Sequence, residues 1–221
     1  MFRHAVDKPT IPDLIAETSE TGRVYSTPTG EKYPSITTVL GHFSKSSIIE
    51  WQNKIGIEEA NKISTQAARR GTAIHSIAED YLNNKVDWAK KLQPINLYTF
   101  NSLRRVIDNH VDMIYYQEQS VYSHRLKTAG RMDCLAEWDG ELAVLDFKTS
   151  RKPKKKEWIE DSYYLQVSFY AAALYEIANI KVKKGIVLVS VDNDDAQVFE
   201  VDVMAYLPRF IELRKQFPYK D

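Results

Sequence analysis

The sequence predicts an α/β fold, a mixed central β-sheet flanked by helices, with an N-terminal helical part. Three observations carry this. Apolar residues recur at helical spacing over most of residues 35–116, and strand-like runs replace them from residue 117 onward. Two of those runs meet at Asp139-Gly140, a dipeptide suited to a tight hairpin. A helical stretch then separates the hairpin from two more strand-like runs, an order that suits a mixed sheet.

Residues 1–34 read as an extension with turns at Thr29-Gly30 and Tyr33-Pro34. Ser35 follows a proline and can cap a helix over 35–41, where Ile36, Val39 and Leu40 recur at helical spacing. A second short helix is expected over 48–55. Residues 58–84 form a long helical pattern, in which Gly71 suggests a break or a close backbone approach. A further helix over 97–116 would bury Leu103, Val106, Val111 and Ile114. Strands are expected over 119–123, 130–138 and 142–149, the last two joined as a hairpin. A helix over 159–178 carries Ala171-Ala172-Ala173, small enough for close packing on the sheet. Strands over 185–191 and 197–203 flank a turn at 192–195, and an amphipathic helix over 204–217 follows.

At 221 residues, one domain with peripheral elements is expected rather than two. The division is an N-terminal extension, 1–34, and a single domain, 35–221, with its helical part at 35–116 and its catalytic core at 117–221. Hydrophobic content of 43% supplies an ordinary core. Cys134 is the single cysteine, which excludes a disulfide framework, a cysteine-held iron–sulfur cluster and a Cys-rich zinc site. No run of eighteen apolar residues exists, so no membrane association is expected. The start, MFRHAVDKPTIPDL, has neither an apolar signal core nor an acid-free, Arg-rich transit character. A soluble protein of a reducing compartment, the cytoplasm, is the expectation. A formal net charge of zero argues against coating nucleic acid by bulk attraction, while leaving room for a local basic channel.

Gly130-Arg131-Met132-Asp133 is followed, after twelve residues, by Asp146-Phe147-Lys148-Thr149-Ser150. Strand alternation puts Asp146 and Lys148 on one face and Phe147 on the other. The hairpin would bring Asp133 alongside Asp146. Two carboxylates that close repel unless a divalent cation sits between them. An ammonium beside that cation could orient a water or stabilise developing negative charge. This is the arrangement of a metal-dependent phosphodiesterase. Six of the nine residues over 148–156 are Lys or Arg. Most such runs are solvated loops, but this one abuts the carboxylate pair.

Two further pairs bear on the site. His75 and Glu79 share a helix face, and a neutral imidazole suits manganese and tolerates magnesium. The plainer reading of His75 is an ordinary interfacial histidine. Gln166 and Tyr170 also share a face and could hold a phosphate or a base edge, though such a pair arises readily by chance.

In order, Gly71-x-x-x-His75, Gly130-x-x-Asp133, Asp146-x-Lys148 and Gln166-x-x-x-Tyr170 resemble the RecB-like branch of the PD-(D/E)xK nuclease superfamily. The stretches 126–134 and 146–153 are similar to the mitochondrial genome maintenance exonuclease family and its phage relatives, and the resemblance spans about residues 35–178. It implies a restriction-endonuclease-like core. It implies His75, Asp133 and Asp146 as ligands of Mg2+ or Mn2+, with the Phe147 carbonyl beside them. Lys148 would be the catalytic lysine, acting with Asp133 and Asp146, and Gln166 and Tyr170 the supporting motif. Thr149 and Ser150 would contact phosphate, and Glu118 stands where relatives often carry an acidic residue. Arg151, Lys152 and Lys154 of the basic run, with Ser35 and Arg70, are expected on DNA. Tyr33, Trp51 and Arg69 could also guide a single strand by stacking and phosphate contacts.

The expected function is that of a metal-dependent DNA exonuclease preferring single-stranded DNA with a free end, in replication, recombination or repair. The phage likeness adds a bacterial or phage-infected cell as the setting. Three alternatives stay open: a structure-specific or single-strand endonuclease, a nucleic-acid-binding protein with weak or no catalysis, and a small-substrate metal hydrolase. The last would need no basic run.

Overall fold

The computed structural model describes residues 1–90 and 92–218. The chain begins with four short strands, β1 (Arg3–His4), β2 (Ile15–Ser19), β3 (Gly22–Ser26) and β4 (Lys32–Pro34). Four helices follow, α1 (Ile36–Phe43), α2 (Lys45–Ile55), α3 (Ile57–Leu82) and α4 (Pro94–His110). Then come β5 (Val111–Ser123), β6 (Thr128–Trp138), β7 (Glu141–Ser150), α5 (Leu165–Ala178), β8 (Lys184–Val191), β9 (Gln197–Asp202) and α6 (Val203–Gln216). A six-stranded sheet has the order β1-β5-β6-β7-β8-β9; β1 runs parallel to β5 and β7 parallel to β8, and the other neighbours are antiparallel. A separate antiparallel sheet joins β2, β3 and β4. The mixed central sheet flanked by helices is therefore as the sequence predicts.

Local chemistry accounts for the elements that place the site. Ser35 caps α1, its hydroxyl accepting from the Thr38 amide at 3.0 Å. Between β6 and β7, Asp139 and Gly140 have φ of 52° and 80°, the left-handed pair that a two-residue hairpin turn requires. Alternation then divides β7: Val144 joins one core with α1, α5 and α6, while Leu145 and Phe147 join the other with α3 and α4. Each fully buried side chain of this kind contributes about 1.5–3 kcal/mol. Because Phe147 anchors one face, Asp146 and Lys148 are committed to the other. Among the described residues no helix is long and apolar enough to cross a membrane.

Several elements depart from expectation. Residues 1–34, read as an extension with turns, contain four strands, and β1 belongs to the main sheet. The helix expected over 97–116 ends at His110, and Val111, Ile114 and Tyr116 are buried as members of β5. Register shifts lie between Val111 and Ile114 and between Ile114 and Tyr116. A bulged strand spaces its inward residues irregularly, which imitates a helical repeat. Gly71 neither breaks α3 nor meets a close neighbour, since a Cβ there would stand in open space. The stretch expected as one helix over 159–178 enters through a 3-10 turn, Lys156–Trp158, and a π-helical turn, Glu160–Tyr164, before α5 begins.

Candidate functional site

The pairing of β5 with β6 sets Gln117 opposite Cys134 and Gln119 opposite Met132, so Glu118 lies opposite Asp133. The ladder between β6 and β7 runs as far as Cys134 opposite Leu145, and its next step is Asp133 and Asp146. Three carboxylates thus form a row across β5, β6 and β7. Regular pairing lapses along it. Glu118 has a φ of 45°, a left-handed conformation that costs a non-glycine residue about 1–3 kcal/mol and gathers at functional sites. The Phe147 amide donates to Asp133 Oδ2 at 2.7 Å rather than continuing the ladder.

α3 brings His75 to this row. Its Nε2 is 2.5 Å from the Phe147 carbonyl oxygen and its Nδ1 is 3.5 Å from Asp133 Oδ1. One donor atom each from His75, Glu118 and Asp133 lie within 4.8 Å of one another. Asp146 stands beside this trio and is fully buried. Its Oδ2 lies 2.5 Å from Lys148 Nζ, and its Oδ1 has no hydrogen-bond partner among the described residues.

Burial, reinforced by the Asp133 charge, pushes the Glu118 carboxyl up to about 7. Burial also raises Asp146, against the pull of the Lys148 ammonium, and the Asp133 charge adds to the rise. Burial alone would lower Lys148, but the carboxylates of Asp146 and Asp133 outweigh it and hold the ammonium charged. The row therefore carries more carboxylate than neighbouring cations neutralise. A buried carboxylate oxygen without a partner, two further carboxylates and an imidazole are donors that fit a hard divalent cation.

Two contributors escaped the sequence reading. The Arg131 guanidinium donates to the Glu118 backbone carbonyl and to Asp13 at 2.9 and 2.8 Å, tying the left-handed residue of the row to the N-terminal segment. Lys148 Nζ stands 5.2 Å from the Tyr163 ring centroid, within the π-helical turn. Only the wider turn places Tyr163 there, so spacing gave no signal for it.

Gln166 and Tyr170 are brought to the site but turned inward. The Gln166 amide donates to the Tyr170 hydroxyl at 3.0 Å, and that hydroxyl donates to the Arg131 carbonyl at 2.8 Å. Both side chains are buried, and together they hold β6 in place. A Cβ at Gly130 would lie 2.8 Å from Tyr170 Cε1, so a glycine is needed where the ring crosses the strand.

The expected nucleic-acid contacts divide. Ser35 is 2% exposed with its hydroxyl used as a helix cap, and Ser150 is buried with its hydroxyl donating to the Lys152 carbonyl at 2.6 Å. Neither is available to DNA. Tyr33 is likewise buried, its hydroxyl 2.9 Å from His124 Nδ1. Thr149 and Trp51 are half-buried, and Arg69, Arg151 and Lys152 are exposed. Lys154 is half-buried, its backbone fixed by Gln197 through bonds of 2.6 and 3.0 Å. Arg70 is ion-paired with Asp192 at 2.8 Å.

Fold and site together define a nuclease-superfamily core: residues 50–216 match the PD-(D/E)XK nuclease superfamily, and the chain belongs to it. It is 25% identical over 169 residues to Mitochondrial genome maintenance exonuclease 1 of Mus musculus, a match covering 71% of this chain and 49% of that protein. The Xenopus tropicalis protein of the same name is 30% identical over 125 residues, covering 55% of this chain and 35% of its own length. The chain thus spans half or less of the length of these relatives. The crystal structure of SSO0001 aligns with a TM-score of 0.35 and 15% identity over 66% of this chain and 69% of that one, a likeness too slight to weigh.

Proposed function

We propose that this chain is a divalent-metal-dependent deoxyribonuclease, an exonuclease that hydrolyses single-stranded DNA from a free end, in replication, recombination or repair. The observation that carries the reading is the row of Glu118, Asp133 and Asp146, closed by His75 at one side and Lys148 at the other. His75, Glu118, Asp133 and Asp146, with the Phe147 carbonyl, would hold Mg2+ or Mn2+. When bound, the cation supplies Lewis acidity at a phosphate oxygen and makes water a stronger nucleophile at neutral pH. Lys148, kept charged by Asp146, would stabilise the negative charge that develops on the phosphoryl oxygens and orient the attacking water. Asp133 fixes the geometry through the Phe147 amide, while Tyr170 and Gln166 position β6. That the similar proteins are named exonucleases supports action from an end.

Cleavage of end-labelled oligonucleotides tests this. Activity should vanish in EDTA and return with Mn2+ or Mg2+, with Ca2+ supporting binding and little turnover. Full cleavage in EDTA would remove the metal reading. A circular single strand should survive while its linear form is degraded; equal cutting of the two makes the protein an endonuclease.

A further inference from the structure

A pocket of about 750 Å³ opens between α3, the start of α4 and the turn after β8. It adjoins the carboxylate row without being part of it. Arg70, on its wall, precedes His75 by five residues of α3, about 8 Å along the axis. The Asp192 amide, also at the pocket, donates to the Ser150 carbonyl at 3.0 Å, so the pocket abuts the end of β7 two residues beyond Lys148.

Its wall has the chemistry of a base and a phosphate. Tyr98 is 60% exposed and offers an aromatic face, with a hydroxyl that has no partner among the described residues. Arg69 is exposed and carries no ion pair among the described residues. Arg70 is held by Asp192, which spends the pocket's single carboxylate, and the Arg70 Nε is buried with no acceptor. Gln66, Asn96 and Asn193 add amides free of side-chain hydrogen bonds, each able to donate and accept at once. An aromatic face, an open guanidinium and unspent amides match one nucleotide whose base is unpaired. A base inside a duplex has both its faces and its pairing edge occupied.

We propose that this pocket takes one unpaired nucleotide of the strand that the nuclease cleaves, with the base stacked on Tyr98 and a phosphate on Arg69. The proposal rests on the nuclease reading above and gives single-strand preference a physical cause.

The test uses the full chain in Ca2+ and a labelled oligothymidylate, read by fluorescence anisotropy. Tyr98→Ala should weaken binding by about 5–150-fold, the loss of one base–aromatic stack. Tyr98→Phe should retain affinity, because the ring remains. Arg69→Gln should flatten the salt dependence by about 0.7 in log–log slope, one single-strand phosphate contact. The rise in melting midpoint that Mn2+ produces, which reads the carboxylate row and not the pocket, should be unchanged in all three. Unaltered oligothymidylate affinity in Tyr98→Ala overturns the pocket, as does an equal loss on blunt duplex. If the parent protein fails to cleave the end-labelled oligonucleotide in Mn2+ yet Tyr98→Ala loses affinity in Ca2+, the pocket stands and the nuclease reading falls.

Discussion

Glu118 and Asp133 face each other across β5 and β6 at a position where the backbone leaves regular strand geometry. Their carboxylates belong to a cluster whose donor atoms lie within 4.8 Å of one another. Without a cation this is an unfavourable contact, relieved by a proton on Glu118. The same contact becomes favourable when a divalent ion takes the proton's place.

The proton on Glu118 contributes a pH dependence to the metal-free protein. The Glu118 carboxyl stands at about 7 in the folded chain against an ordinary 4.5, so the folded state holds its proton more tightly. The stability contributed is complete below about pH 4.5 and is lost as pH rises through 7. Thermal melts in EDTA should fall between pH 5 and pH 8, and Glu118→Gln should flatten that slope. Mn2+ at about 100 times its Kd should raise the midpoint by about 5–10 °C at pH 8, and less at pH 5.

Lys148→Met should show that the lysine serves stability and chemistry together. Asp146 is fully buried, and removing one partner of a buried ion pair costs about 3–5 kcal/mol when the other stays charged. Protonation of Asp146 relieves part of this, so the melting midpoint should drop further at pH 8 than at pH 5.5. Adding Asp146→Asn should recover stability but not cleavage, which should remain about 100- to 1000-fold down. Equal destabilisation at both pH values would mean that the pair is not coupled in this way.

Gly130→Ala tests the clasp between α5 and β6. Its Cβ would stand 2.8 Å from Tyr170 Cε1 and 2.9 Å from Ile36 Cγ2, contacts that require movement. Overpacking of this kind costs about 1–3 kcal/mol. Cleavage should fall as well, because the strand that shifts carries Asp133. Tyr170→Phe keeps the packing but loses the bond to the Arg131 carbonyl, for about 1 kcal/mol. An alanine variant as stable and active as the parent would contradict the clasp.

In the basic loop, Arg151 and Lys152 should matter more than their neighbours. Arg151, Lys152, Lys155 and Lys156 are all exposed, but Lys155 lies over the Trp158 ring at 5.5 Å and Lys156 faces Glu160 at 3.5 Å, whereas the side chains of the first two have no partner among the described residues. Changing Arg151 and Lys152 to Gln should reduce the salt slope of oligonucleotide binding by about 1.4, two single-strand contacts. Changing Lys155 and Lys156 should alter it less; the reverse order would place the strand on the other side of the loop.

Asp133, Asp146 and Lys148 were legible in the sequence because strand alternation and a two-residue turn leave little freedom. Once Asp139-Gly140 closes the hairpin, the opposition of Asp133 and Asp146 is fixed. Glu118 was harder, because its place depends on the register of β5 against β6, and β5 carries irregularities that spacing cannot reveal. The same irregularities made Val111–Tyr116 look helical. Tyr163 and Arg131 act through a π-helical turn and a backbone carbonyl, features with no signature in residue order. Ser35 and Ser150 misled because a hydroxyl that could meet phosphate is equally suited to closing its own backbone.

β1 is two residues long, yet it lies along β5, with the Ala5 amide reaching the Ile114 carbonyl at 2.8 Å just beyond it. Phe2 clasps Asn84 at the end of α3 from the same segment, through bonds of 2.8 and 2.9 Å. This small piece of chain guards the outer margin of a thirteen-residue strand. Proteolytic loss of the first few residues would leave β5 as an open template onto which another molecule could add a strand. The expected first symptom is rising light scattering while Mn2+ still raises the melting midpoint: a defect of solubility, arising at a distance from the carboxylate row.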